Sequence, residues 1–222
     1  MTSPCFESIQ VVAMRVHRLA ASGAVLAGAK NAYQSAAVVN VANTFVYSTG
    51  ADIEQKNGGG TLCLTYQGED KLKGANPSVN LCQLDSQLIE MMTGWTALTD
   101  LSTNVIGLAA PAVDAANKNG VCLEAWSLAW DGNQQAVDGS SNPLYIRYFW
   151  PRVKFVVGDF TIEEGALVVP LTGKGYGNTV LTTARGPAGD WPVGAGSGPW
   201  GYFLDPSVVV PTCAYLTAPT GS

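Results

Sequence analysis

Charge is scarce in this chain. Asp, Glu, Lys and Arg make up 13% of its 222 residues, about half the usual quarter, and a monomer that exposes its whole surface ordinarily covers it with charge. The shortage predicts that neighbouring copies cover much of the surface. Cations are fewer than anions, 12 Lys and Arg against 17 Asp and Glu for a formal net charge of −5. The longest basic cluster is Met14-Arg15-Val16-His17-Arg18, which excludes a DNA-gripping protein built on clustered cations.

Histidine occurs once, at His17, so no mechanism that needs two of them is available. The sequence also lacks G-x-x-x-x-G-K-[ST], H-E-x-x-H and G-x-S-x-G, which leaves no catalytic residue to nominate. Glu163 and Glu164 are adjacent, and neighbouring strand or turn residues do not point at one bond as a carboxylate pair must. The five cysteines, Cys5, Cys63, Cys82, Cys122 and Cys213, are odd in number and include no C-x-x-C. A disulfide scaffold is excluded and buried free thiols are expected, with Cys63 and Cys82 the one pair left open. No metal site is expected, because no cysteine stands near His17. No cofactor is expected.

Long apolar runs are missing despite a hydrophobic content of 47%. Residues 14–29 imitate a cationic segment followed by a short apolar one, but thirteen residues including Glu7 precede them, so no export signal is expected. The run is also shorter than the roughly 20 apolar residues that span a bilayer, so no membrane-spanning helix is expected.

What the sequence does contain is mostly strand. Over 44–55, Phe45, Tyr47, Thr49, Ala51 and Ile53 alternate with Thr44, Ser48, Asp52 and Glu54. Asn57-Gly58-Gly59-Gly60 then supplies a turn into the β-rich 61–66, giving a hairpin. Further strands are predicted at 10–19, 72–81, 120–130, 144–157 and 165–171. The 120–130 strand is apolar on both faces, with Val121, Leu123, Ala125 and Ala129 on one and Cys122, Trp126, Leu128 and Trp130 on the other, and is expected to be covered on both sides.

One helix is predicted, with Asp85 as N-cap, Leu88, Ile89, Met91 and Met92 as its apolar stripe and Gly94 as its αL stop. Residues 98–117 are ambiguous because Pro111 interrupts an Ala-rich stretch. The glycines of 173–178 read as a tight turn or a loop tip. Residues 185–200 are too rich in Gly and Pro for a core element and read as a loop or arm whose Trp191 and Trp200 dock on something. The fold class is therefore mainly β: a β-sandwich or barrel with one flanking α-helix over residues 1–184, followed by a Gly/Pro/Trp-rich loop or arm over 185–222.

Several segments resemble a known family in their order and spacing. They are the hairpin Gly50-Ala-Asp-Ile-Glu-Gln-Lys-Asn-Gly-Gly-Gly60, the strand entry Asp70-Lys-Leu-Lys-Gly-Ala75, the passage Leu81-Cys-Gln-Leu-Asp-Ser-Gln-Leu-Ile-Glu-Met-Met-Thr-Gly94, and Phe149-Trp-Pro-Arg-Val-Lys-Phe155 with Gly158-Asp-Phe-Thr-Ile-Glu-Glu-Gly165. Together, over about residues 10–180, they are similar to the major tail (tail tube) proteins of long non-contractile-tailed phages of actinobacteria. The 19–40 stretch and the end from 185 lie outside these motifs.

The resemblance implies a structural virion protein. Six copies would form a ring, the inner strands joining into one barrel, and rings would stack into the tube that conducts genomic DNA to the host. It implies a tape-measure protein and a tail terminator as partners, passage of viral DNA without specific binding, assembly in the host bacterial cytoplasm and a final place in the virion tail. Within that expectation Asp52, Glu54 and Lys56 are candidates to face the lumen, since a neutral or acidic wall lets a polyanion slide. Trp126, Trp130, Trp150, Trp191 and Trp200 are candidates for subunit interfaces or for core packing. Leu88, Ile89 and Met92 would brace the helix on the sheet. The competing readings are a β-rich binding or decoration module that stacks tryptophans on carbohydrate, and a terminator that forms a single ring.

Overall fold

The computed structural model describes residues 6–102, 104–112, 120–160, 168–183, 186–206 and 214–218. In chain order the strands are β1 (Glu7–Leu19), β2 (Gly28–Ser35), β3 (Val38–Ser48), β4 (Asp52–Lys56), β5 (Leu62–Gln67) and β6 (Lys71–Leu81), then helix α1 (Ser86–Thr93). They continue with β7 (Thr96–Thr99), β8 (Val105–Ala109), β9 (Gly120–Asp131), β10 (Gln134–Gln135), β11 (Tyr145–Val157) and β12 (Val169–Tyr176). Helix α2 (Thr179–Thr183), β13 (Gly201–Asp205) and β14 (Ala214–Ala218) complete the order.

The protein is mainly β. A ten-stranded antiparallel sheet runs β14-β2-β1-β9-β11-β12-β6-β3, with β10 added to β9 and β13 to β11, while β4–β5 and β7–β8 are separate hairpins. The expected strands at 10–19, 72–81, 120–130 and 144–157 are present as β1, β6, β9 and β11. The 165–171 strand starts later, at Val169, and runs on through the glycines expected to form a turn. Those glycines belong in the strand because neighbours leave no room for a side chain. A Cβ on Gly175 would lie 2.1 Å from the Ala75 carbonyl oxygen, and one on Gly173 would lie 2.5 Å from Val153.

Strand β11 organises the sheet. Along one side it pairs with β9; along the other it pairs first with β13 and then, past Phe149, with β12. The register on β9 slips between Trp150 and Val153, where Pro151, which has no N–H to give a ladder, occupies a bulge. The sheet folds over itself beyond this point: Trp150 Nε1 donates to Asn43 Oδ1 of β3 at 2.9 Å, and β3 touches β1. Among the described residues no ladder joins β3 to β14, so the sheet is not a closed barrel.

Alternation along the central strands divides their two faces. Met14 and Val16 of β1, Leu123 and Ala125 of β9 and Trp150 of β11 turn into the main core, where Val79, Leu81, Phe155 and Leu171 meet them. Helix α1 seals that core with Leu88, Ile89, Met91 and Met92. Asp85 caps it as expected, its Oδ1 accepting from the Leu88 amide at 3.1 Å, and Gly94 ends it at φ 76°. The helix expectation holds to the residue, with a second, five-residue helix α2 added.

The opposite face of β1, β9 and β11 is covered by α2 and the 186–200 loop, through Leu181 and Trp191 on Leu19, Cys122 and Phe149. The double covering expected of the 120–130 strand is therefore supplied within one chain.

Three hairpin or loop tips share one local solution. Asn57 Oδ1 accepts from the amides of Gly59 and Thr61. Asp100 Oδ1 accepts from those of Ser102 and Asn104, and Asp138 Oδ1 from those of Ser140 and Asn142, each of these four bonds at 2.8 Å. A short acceptor side chain that bonds its own backbone two and four residues on closes a turn without help from a core. The second tip closes the β7–β8 hairpin, which occupies part of the ambiguous 98–117 stretch; Pro111 follows it, and 113–119 lie outside the described residues.

Candidate functional site

A charged cluster lies under the 186–200 loop, on the face of β1, β9 and β11 away from the main core. Glu124 of β9 is fully buried. Its Oε2 accepts from Arg15 Nε at 2.7 Å, and its Oε1 from Arg147 Nε at 3.1 Å, from a second Arg147 nitrogen and from Trp191 Nε1 at 2.7 Å. His17 Nε2 stands 3.5 Å from Oε2. Arg147 reaches onward to Asp190 at 2.7 Å and Asp205 at 3.1 Å, and Trp126 Nε1 donates to Asp205 at 3.3 Å. Both guanidiniums lie over the Trp126 ring, 5.1 and 5.0 Å from its centroid.

Burial alone would raise the Glu124 pKa, but Arg15 and Arg147, with His17 beside them, outweigh it and hold the carboxyl well below its ordinary value. Burial likewise opposes the charge on Arg147, and Glu124 and Asp190 reverse that, so its pKa is raised. Cys122, two residues from Glu124, has its thiol pushed well above the ordinary range by burial and then by the Glu124 charge. A thiol held protonated is a poor nucleophile. The cluster's charges are spent on one another, and its chemistry is that of a clamp tying β1, β9, β11, β13 and the 186–200 loop together. Among the described residues no group of His, Cys, Asp and Glu is placed to hold a metal ion.

The outside of the molecule is open in one direction. Strand β3 ends the sheet order, so among the described residues one edge of this eleven-residue strand carries no ladder. It contains no charged residue and no proline, the devices that ordinarily blunt an edge. The chain leaves it through Thr49, Gly50 and Ala51 into β4–β5. The expected continuous 44–55 strand is therefore two strands, interrupted where the Gly50 amide donates to Asp70 Oδ1 and Gly68 to Ala51.

Every residue of β4 and β5 is exposed. Register pairs Ile53 with Tyr66 and Gln55 with Leu64, which gathers Ile53, Leu64 and Tyr66 on one face at 50–56% exposure. Asp52 and Glu54 point the other way with Gln67 and Thr65, and Lys56 follows past a register slip. A two-stranded ribbon with a bare apolar face is marginal on its own in water.

The five candidate tryptophans separate into two groups. Trp126, Trp150 and Trp191 are 3%, 2% and 0% exposed, which removes them as contacts to a neighbour and assigns them to the subunit's own core. Trp130 and Trp200 stay half-buried. Trp200 sits among aromatics, edge-on to Phe45 at 5.4 Å and 5.7 Å from Tyr202. The 185–222 segment is thus more than a loop: it docks by Trp191 and supplies β13 and β14. Cys63 and Cys82 are free and exposed rather than buried, and Cys122 is free and buried. Glu163 and Glu164 lie outside the described residues.

Comparison of the chain with protein-family models and with curated proteins finds no match.

Proposed function

We propose that this protein is a structural subunit that assembles with copies of itself, six to a ring and ring upon ring, into a phage tail tube that conducts DNA. The observation that carries the reading is the uncharged edge of β3, which carries no ladder among the described residues and is followed in the chain by the exposed β4–β5 ribbon with its apolar face. Backbone groups on such an edge find partners on another strand, and repetition of the same contact by rotation closes a ring without leaving an edge. The folded-over sheet would then act as one segment of a sandwich whose inner strands join across subunits. The ribbon's apolar face would rest on a neighbour, and of the five candidate tryptophans Trp130 and Trp200 are the ones still available to such a contact. The order of motifs described in the sequence supports the same reading, and the tape-measure and terminator partners belong to it.

Negative-stain microscopy of the purified chain tests it. Long hollow tubes are the expected result; isolated rings would instead indicate a terminator.

A second reading rests on the aromatic group of Phe45, Tyr148, Trp200 and Tyr202, of which Tyr202 is 63% exposed. Such a surface suits stacking on sugar rings in a binding module. Featureless particles that bind glycans would favour it.

A further inference from the structure

A cleft of about 620 Å³ opens between the sheet, helix α1 and the β7–β8 hairpin, within the size range of small-molecule sites. The sheet contributes Arg18 of β1, Lys30 of β2 and Tyr215 of β14, the helix Gln87 and Glu90, and the hairpin Asn104. The cluster under the 186–200 loop spends its charges internally; this cleft does not. Its one ion pair among the described residues, Arg18 Nη2 with Glu90 Oε1, is long at 3.4 Å. Lys30, Gln87 and the Tyr215 hydroxyl have no hydrogen-bond partner among the described residues. Asn104 donates its Nδ2 hydrogen to Asp100 at 3.1 Å and keeps Oδ1 to offer. Burial and then the Glu90 charge raise the Tyr215 pKa, so its hydroxyl stays a donor.

The backbone adds an independent observation. Lys30 sits at φ 66°, a left-handed conformation that it shares among the described non-glycine residues only with Ser141. A side chain held there costs free energy, and such strain persists at ligand clamps because the site needs that residue so placed. No contact of the lysine's own ammonium within the described chain offsets the cost.

The lining identifies the class of ligand. An apolar molecule would strip water from uncommitted donors and acceptors without replacing it. Two cations stand against one acid, which suits a single negative charge. A phosphate ester near −2 would set a second charge against Glu90. Amide, carboxylate and phenol groups together both give hydrogen bonds to hydroxyls and take them, and the Tyr215 ring offers an apolar side to a sugar face.

We infer that this cleft binds a carboxylate-bearing saccharide, a hexuronic acid unit, whose carboxylate is held by Lys30 and Arg18 and whose hydroxyls are held by Glu90, Gln87, Asn104 and Tyr215. The site lies within one chain, so it rests on neither reading of the function, and it shares no residue with the aromatic group around Trp200.

The test is saturation-transfer NMR of glucuronic acid with the full chain, with glucose and inorganic phosphate as the competing probes. A ligand this small should bind with a Kd of about 1 mM, and glucose, lacking the charge, roughly tenfold more weakly. Lys30→Gln removes the ammonium and leaves the backbone as it is; it should weaken glucuronic acid by roughly tenfold. Lys30→Gly should weaken it as much, at a melting temperature no lower than the parent's, because glycine takes the left-handed conformation freely. That combination separates a lysine kept for a ligand from one kept for the fold. Absence of a saturable glucuronic acid signal, glucose bound as tightly, phosphate bound more tightly, or a Kd unchanged in Lys30→Gln would each overturn the inference.

Discussion

Arg147 of β11 and Glu124 of β9 meet face to face beneath the 186–200 loop, both shut away from solvent, with Glu124 Oε1 shared between the guanidinium and the Trp191 indole N–H. A buried ion pair contributes little against a well-packed apolar substitute, but removing one partner strands the other. Glu124→Gln leaves Arg15 and Arg147 without their common counterion, and the expected loss is about 3 to 5 kcal/mol in urea unfolding. A variant as stable as the parent would show that the cluster's other carboxylates suffice.

The same carboxylate sets an acid dependence. Its folded pKa lies well below the ordinary 4.5, so its stabilisation is complete above that value and disappears as pH falls toward the folded pKa. Asp100 and Asp138, whose carboxyls are held down chiefly by the Asn104 and Asn142 side chains, act in the same direction. Unfolding free energy should therefore fall from about pH 5 downward. The Glu124→Gln protein should show a shallower fall, with the two loop aspartates still present. Equal slopes for the two proteins would remove Glu124 from the acid response.

Trp191 is the loop's anchor. Gly186 accepts its indole at close range: at φ +84° it already has a backbone that favours glycine, and an added Cβ would lie 2.3 Å from the ring. Gly186→Ala and Trp191→Ala should both loosen the loop, the latter at a cost of about 3 to 5 kcal/mol. Cys122 reports the loosening. Site-resolved thiol labelling should modify the exposed Cys63 and Cys82 at once in every variant, and Cys122 far faster in the loop variants than in the parent. Protection of Cys122 that survives both substitutions would show that other residues cover it.

These residues also mark what the sequence disclosed and what it withheld. Alternation and turn chemistry located β1, β6, β9 and β11, and the Asp85 and Gly94 caps located α1, because each signal lies within a dozen residues of chain. The charged cluster joins positions 15, 124, 147, 190 and 205, and no local pattern connects them. One clue was present: Glu124 is the one charged residue of the 120–130 strand, and a carboxylate there must be paired. Arg15 and His17, two apart on β1, share the face that meets it. The glycines of β12 read as a turn because their reason for being small, the Ala75 carbonyl and Val153, lies on other strands. Strands β13 and β14 were hidden by the Gly/Pro-rich stretch before them, and the breaks at Gly50 and Gly68 that detach β4–β5 from β3 and β6 are set by distant partners, the Asp70 carboxylate and the Ala51 carbonyl.

The β4–β5 ribbon separates folding from assembly. Ile53, Leu64 and Tyr66 touch solvent rather than core, so Leu64→Asp or Tyr66→Ser should change the subunit's stability by no more than about 0.5 kcal/mol. Under the proposed function the same changes abolish tubes, because a charge or a truncation on the apolar face removes the surface that a neighbour covers. Melting temperature and negative-stain images of the same samples read the two effects apart. Tubes of normal length from Leu64→Asp would exclude the ribbon from subunit contacts. Asp52→Lys with Glu54→Lys probes the ribbon's other face. Under the proposed function this reversal slows genome ejection while tubes stay intact, because a cationic wall holds the polyanion; unchanged ejection would remove Asp52 and Glu54 from the bore.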